Sequence, residues 1–161
     1  MLLIRHSSFQ AQAEKVRFEF DALKSLGVDN RISRLPMELM PQEAYLLAQK
    51  LYNEQASEVE RWARSESIRI EDDVALGPQI LQLNCTYFPV YDTKMMVFIV
   101  IPSSAIQDMV SRDESHSNTW QLGDVIILSG KRMVKVGSEG LCVVSFMHHI
   151  VSEEGTTAAT T

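Results

Sequence analysis

Apolar residues concentrate between Gln79 and Ile101, where two apolar runs flank a short polar turn at Asp92-Thr93-Lys94. The second run, residues 95–101, is seven residues long and has no polar side chain. Its β-branched residues and the stop at Pro102 favour a strand over a buried helix. Because alternate side chains of a strand point to opposite sides of a sheet, this strand is predicted to be covered on both faces.

Two amphipathic helices are predicted ahead of this strand. The first begins at Ser7-Ser8-Phe9-Gln10, in which the serine and glutamine have the spacing of a capping box, and it ends at Gly27. Its apolar residues recur at alternating spacings of four and three, which places them on one stripe: Phe9, Ala13, Val16, Phe20 and Leu23. The second helix runs from Pro41 to about Arg64 and would be roughly 36 Å long, so part of it is expected to project or to contact a partner.

Strands are predicted on both sides of the central run. Residues 67–71 alternate between polar and apolar and should end before a Gly77-Pro78 turn. Residues 122–151 have the pattern of a three-stranded meander with two glycine-containing turns. The apolar arm at residues 1–5 is expected to be an edge strand, on this sheet or on that of a neighbouring subunit.

These elements predict an α+β fold, with two N-terminal amphipathic helices packed on a mostly antiparallel sheet of five to six strands and a C-terminal three-stranded meander. Residues 1–151 are expected to form a single domain, helical over 7–66 and β-rich over 67–151. The low-complexity tail at residues 152–161 is expected to be disordered. A chain of 161 residues can bury such a core without disulfides or metal.

Composition and charge narrow the classes of partner. Hydrophobic residues make up 45% and charged residues 22% of the chain, as in soluble globular proteins. The net charge is −6, of which residues 67–161 carry −5, and this argues against nucleic-acid binding. No segment is long enough to span a bilayer and the N-terminal arm is too short for a signal peptide, so we expect a cytoplasmic protein that is not inserted in a membrane. Cys85 and Cys142 are expected to be free thiols, although a single disulfide is left open.

The histidines do not suggest a metal centre. His148 and His149 are adjacent in a predicted strand, so their rings should point to opposite faces. No Asp, Glu or Cys lies near them at ligand spacing, and neither a metal nor a cofactor is expected. His116, in a polar loop, is the only histidine in a setting that suits a general acid or base.

One arrangement of residues suggests hydrolysis. Ser104, then Gly123-Asp124 and a hydrophobic strand, then Lys131 distantly resembles the Ser/Lys peptidases of the signal-peptidase and LexA-type groups, and this implies a serine nucleophile with a lysine base. The methionine that follows the serine in those families is replaced by Ala105. Lys131 is in a turn beside Arg132, where a hydrated lysine keeps its proton. Ser104 as a helix cap explains the same residues more simply.

The sequence therefore favours a non-enzymatic protein-interaction or assembly module that binds another protein or itself, with a homo-oligomer expected. A Ser/Lys hydrolase and a small-ligand sensor with a pocket between helices and sheet are the alternatives. If the central strand were left uncovered on one face, Met96, Phe98 and Val100 would form an apolar patch. Either the C-terminal strands close a sandwich over that patch or another subunit covers it. The candidate interface residues are Leu2, Ile4, Trp62, Met96, Phe98, Val100 and Trp120, and the two tryptophans are equally suited to the core.

Overall fold

The computed structural model describes residues 1–23, 32–35, 37–83, 87–101, 109–111, 117–118, 120–136 and 141–153. Two α-helices, α1 (Ser7–Leu23) and α2 (Gln42–Ser65), are accompanied by a short 3-10 helix at Met37–Leu39. The strands in chain order are β1 (Leu2–Ile4), β2 (Ile32–Arg34), β3 (Ile68–Leu83), β4 (Tyr87–Val90), β5 (Lys94–Val100), β6 (Met109–Ser111), β7 (Ser117–Asn118), β8 (Val125–Leu128), β9 (Arg132–Val136) and β10 (Leu141–Ser152).

The strands form two antiparallel sheets. The larger sheet has six strands in the order β1-β8-β5-β10-β3-β2, and the smaller has four in the order β4-β9-β6-β7. The predicted α+β class, with two helices and an antiparallel sheet of five to six strands, is confirmed. The smaller sheet was not predicted.

Strand β5 lies inside the larger sheet, between β8 and β10, and is covered on both faces as predicted. Met95, Val97 and Ile99 pack with α1 and α2 in one apolar cluster. The alternate residues Met96, Phe98 and Val100 belong to a second cluster, which includes Phe88 and Val134 of the smaller sheet. The helices therefore cover one face of the large sheet and the smaller sheet covers the other.

The helix side of the core follows the predicted stripe of α1. Phe9, Ala13 and Val16 are completely buried, while the side chains of Phe20 and Leu23 lie outside the described residues. The cap of α1 differs from the predicted capping box. The helix begins at Ser7, and His6 precedes it. The backbone N of Ser8 donates a hydrogen bond to His6 Nδ1 at 3.2 Å.

The predicted C-terminal meander is wrong. Strands β8 and β10 both belong to the large sheet, where each pairs with β5, whereas β9 pairs with β4 and β6 in the smaller sheet. All four residues of β8 are buried, so this strand needs cover on both faces and takes an interior position in the large sheet. The turn at Gly130, whose φ is +76°, then leads the chain from one sheet into the other.

The predicted Gly77-Pro78 turn is also wrong, because β3 continues through both residues. The register of β3 against β10 shifts there, from Gln79 opposite Ser145 to Leu76 opposite Met147. An irregularity of this kind accommodates a proline within a strand. At the other end of the pairing, Glu153 N donates to Ser67 O at 2.8 Å. The backbone is thus paired through Ser152 and Glu153, and the rest of the predicted disordered tail, residues 154–161, lies outside the described residues.

Candidate functional site

The three candidate interface residues of β5 are buried in the core of the protein. Met96, Phe98 and Val100 are at most 3% exposed, and the rings of Phe98 and Phe88 meet edge to face with centroids 5.5 Å apart. Of the two arrangements that the sequence left open, the structure has the one in which the chain covers this face itself. The apolar patch on which we based the expectation of self-association is therefore absent from the surface.

The other candidate interface residues are also largely within the fold. Leu2 and Ile4 are in β1, which forms one edge of the large sheet; Ile4 is buried and Leu2 is half-buried. Trp62, near the end of α2, belongs to the helix-side cluster, and Trp120 belongs to the cluster between the sheets. Both indoles are buried, and neither Nε1 atom has a hydrogen-bond partner among the described residues.

Of the catalytic candidates, only Lys131 lies within the described part of the chain. It is exposed in the turn between β8 and β9. Ser104 and His116 lie outside the described residues, so their distance from Lys131 is not defined. The Ser/Lys hydrolase remains a prediction from the sequence.

His148 and His149 lie on opposite faces of β10, as strand alternation predicts. His148 is buried and its Nε2 hydrogen-bonds the hydroxyl of Tyr52 on α2. The rings of Tyr52 and His148 meet edge to face at 5.5 Å, and Phe146 lies 5.8 Å from Tyr52. On the other face, Lys94 Nζ lies 2.5 Å from His149 Nδ1. The adjacent histidines therefore belong to two different environments and cannot share a metal ion.

Burial determines the ionisation of the Tyr52–His148 pair. It lowers the pKa of His148, with the electrostatic effect of His149 acting in the same direction and a hydrogen bond to the backbone of Glu71 opposing both. Burial also raises the pKa of Tyr52, so the phenol stays protonated at neutral pH. The pair is thus held neutral, and we interpret it as a contact that fixes α2 on the sheet.

A second polar network joins the start of α1 to the middle of α2. Ser8 Oγ lies 2.8 Å from His6 Nδ1 and 3.2 Å from Glu54 Oε2, and its single proton can be donated to one of these two acceptors at a time. Lys50 Nζ donates to Glu54 Oε1 at 2.7 Å and lowers the pKa of that carboxyl. A serine beside a histidine can suggest a nucleophile. In a catalytic triad, however, the carboxylate binds and orients the histidine, whereas here Glu54 binds the serine. The arrangement is that of a helix cap tied to a neighbouring helix.

An ion pair secures the N-terminal strand. Arg5 donates from Nε and Nη2 to the two carboxylate oxygens of Asp124, at 2.8 and 2.7 Å. Asp124 is 1% exposed and also accepts a hydrogen bond of 2.8 Å from the backbone N of Gln121. The two charged residues are 119 positions apart in the chain, and no local sequence signal could have connected them. The Gly-Asp pair that resembled a peptidase motif thus has a structural partner.

Exposed apolar side chains concentrate along the first half of α2. Tyr45 and Leu46 are 38% and 41% exposed, Tyr52 lies one heptad after Tyr45 and is 38% exposed, and Leu39 just before the helix is 37% exposed. The opposite side of α2 is buried against the sheet through Leu47, Leu51 and neighbouring residues. We call Leu39, Tyr45, Leu46 and Tyr52 the α2 ridge.

Within the described ranges no group of three or more His, Cys, Asp or Glu residues could hold a metal ion. Over the same ranges, no helix has the length and apolar character needed to cross a membrane. No protein-family model matches the sequence, and no similar protein was found among curated proteins.

Proposed function

We propose that this protein is a non-enzymatic interaction module that binds another protein through the α2 ridge. The observation that carries the proposal is the group of four large apolar side chains, each more than a third exposed, on and just before one helix. Tyrosine is enriched where proteins meet, because it combines a large apolar area with a polar tip and few rotatable bonds. The ridge therefore has the composition of a contact surface.

The contacts that hold α2 on the sheet also hold the α2 ridge in a fixed position for binding. The buried side of α2 packs on the sheet, and the Tyr52 hydroxyl is hydrogen-bonded to His148. Side chains that are already positioned lose less conformational entropy on binding, so more of the buried area contributes to affinity. The same contacts mean that α2 is not free to rearrange when a partner arrives.

The decisive experiment compares Tyr45→Glu/Leu46→Glu with Phe18→Glu, expressed in the native host. Phe18, on α1, is 80% exposed, so the control also places charge at an exposed apolar position but leaves the ridge intact. We expect a defined partner to copurify with the wild type and with Phe18→Glu and to be lost from the double variant. Tyr52 is left unchanged because it also contacts His148.

Light scattering over a hundredfold dilution then separates the two kinds of partner. A dimer that dissociates on dilution and is abolished by the double variant would mean that the ridge binds a second copy. A wild-type protein that stays monomeric and copurifies with no stoichiometric partner would refute the proposed function. Equal loss of the partner from both variants would show that the ridge is not the contact surface.

A further inference from the structure

Pairing of β4 with β9 brings together two positively charged segments that are far apart in the sequence. Residues 87–94 and 129–136 contain four basic side chains and one acidic one, a net charge of +3. Because the whole chain carries −6, the remaining residues carry −9. In register, Val90 lies opposite Arg132 and Tyr87 lies opposite Lys135. The fold thus collects positive charge at one edge of the smaller sheet of an otherwise acidic protein.

An exposed aromatic residue accompanies these charges. Tyr91, in the turn that follows β4, is 61% exposed. Arg132 lies opposite Val90 at the same end of β4, so Tyr91 is close in the fold to the start of β9. Tyr87, at the other end of β4, points to the opposite face from Val90 and Arg132 and is not part of this group.

Three of these four basic residues lie in or beside the turns after β4 and β8, at the same end of the two sheets. Lys131 is exposed in the turn that precedes β9, and Arg132 is partly exposed beside it. Lys94 at the start of β5 is linked to the β4 turn through its backbone N, which donates to Tyr91 O at 3.2 Å. Its Nζ lies beside His149 of β10. We call Tyr91, Lys94, Lys131 and Arg132 the basic ribbon.

We propose that the basic ribbon binds an acidic, extended segment of a partner protein. Carboxylates would pair with the three cationic side chains, and Tyr91 would contact the segment between its acidic residues. Pro89, at the edge of the sheet, lacks a backbone N–H, so the segment would be held by side chains and not by pairing along β4. The inference names a second surface and does not depend on the α2 ridge.

The charge of the rest of the protein favours a short acidic segment over a nucleic acid. Exposed charges act over about 8 Å at physiological ionic strength. A short segment can stay within the ribbon, whereas a long polyphosphate would extend over surface that carries the remaining negative charge. Nucleic acid is accordingly treated as an outcome that would overturn the proposal.

The test uses fluorescence anisotropy with a labelled peptide of alternating glutamate and leucine, a peptide with lysine in place of glutamate, and a single-stranded oligonucleotide. The main variant is Lys131→Glu/Arg132→Glu. Its matched control is Arg61→Glu/Arg64→Glu on α2, which changes the net charge equally at two exposed positions elsewhere. Lys131→Glu alone, at an exposed position, covers the case in which the double variant does not fold.

We expect the glutamate peptide to bind the wild type and to be released by added salt, and the lysine peptide not to bind. The ribbon variant should weaken binding by about tenfold or more, and the α2 control by less than about twofold. Equal weakening in both variants would mean that only net charge matters and would overturn the proposal. So would tighter binding of the oligonucleotide, or no binding of the glutamate peptide at low salt. Retention of the copurifying partner by the ribbon variant would leave the function assigned to the α2 ridge intact.

Discussion

Replacement of Gly123 by alanine tests a close approach between the backbone of this turn and the backbone of α1. Gly123 has a φ of +82°, and a Cβ atom at this position would lie 2.5 Å from Gln10 Cα and 2.6 Å from Gln10 N. Both of these atoms belong to the backbone of α1, so no side chain can rotate away to make room. Because Gly123 N donates to Val100 O at 2.8 Å, the turn is also held from the other side.

The expected loss in the free energy of unfolding of Gly123→Ala has two parts. The left-handed conformation costs an alanine about 1–2 kcal/mol. Relief of the contact requires α1 to move while Phe9 next to Gln10 is completely buried, and overpacking of this kind costs about 1–3 kcal/mol. Gly123→Ala should therefore lower the free energy of unfolding by roughly 2–5 kcal/mol.

Gly130→Ala separates the two parts. Gly130 has a similar φ of +76°, but a Cβ atom there would have no neighbour within 4 Å, so only the conformational cost remains. Urea unfolding followed by circular dichroism should place Gly123→Ala about 1–3 kcal/mol below Gly130→Ala. If the two variants unfold at the same urea concentration with equal slopes, the close approach of α1 to this turn is wrong.

Two further predictions concern the core and the buried histidine. Phe98→Ala should lower the free energy of unfolding by about 3–5 kcal/mol, because the ring is completely buried between the sheets. The control Phe18→Ala, at a position 80% exposed, should change the free energy of unfolding by less than about 0.5 kcal/mol. Comparable effects of the two substitutions in urea unfolding would contradict the placement of the smaller sheet. Burial lowers the pKa of His148 in the folded state, so below about pH 6.5 the unfolded state binds the proton more readily and stability should fall as the pH decreases. His148→Phe should flatten the dependence of urea midpoint on pH between about 7 and 5 relative to His149→Phe, and an unchanged slope would mean that His148 is not buried in solution.

The elements with a strong local pattern could be predicted from the sequence. The uninterrupted apolar run of β5 required cover on both faces, and the spacing of Phe9, Ala13 and Val16 defined the buried side of α1. In each case the pattern of side chains along one element determines which side of that element must be buried. The helices, the central strand and the α+β class followed from such patterns alone.

Pairing between distant segments could not be predicted in the same way. The meander was expected because β8, β9 and β10 follow one another after short turns, but the apolar character of β8 takes it into the large sheet. The Arg5–Asp124 ion pair and the basic ribbon depend on which strands become neighbours, and this information is not local. The net charge of the C-terminal half is an average, and it does not show the cluster of basic residues that strand pairing brings together.

The position of β10 has a consequence for how the chain can fold. It follows every other strand in the sequence, yet it lies between β5 and β3 in the middle of the large sheet. Before β10 arrives, the β1-β8-β5 half and the β3-β2 half have no strand to join them. During synthesis at about 5–20 residues per second, β3 therefore waits several seconds for its partner with an apolar edge unpaired. Strand β10 therefore joins the two halves of the large sheet. Until it is synthesised, the chain exposes unpaired strand edges of the kind that aggregate or bind chaperones.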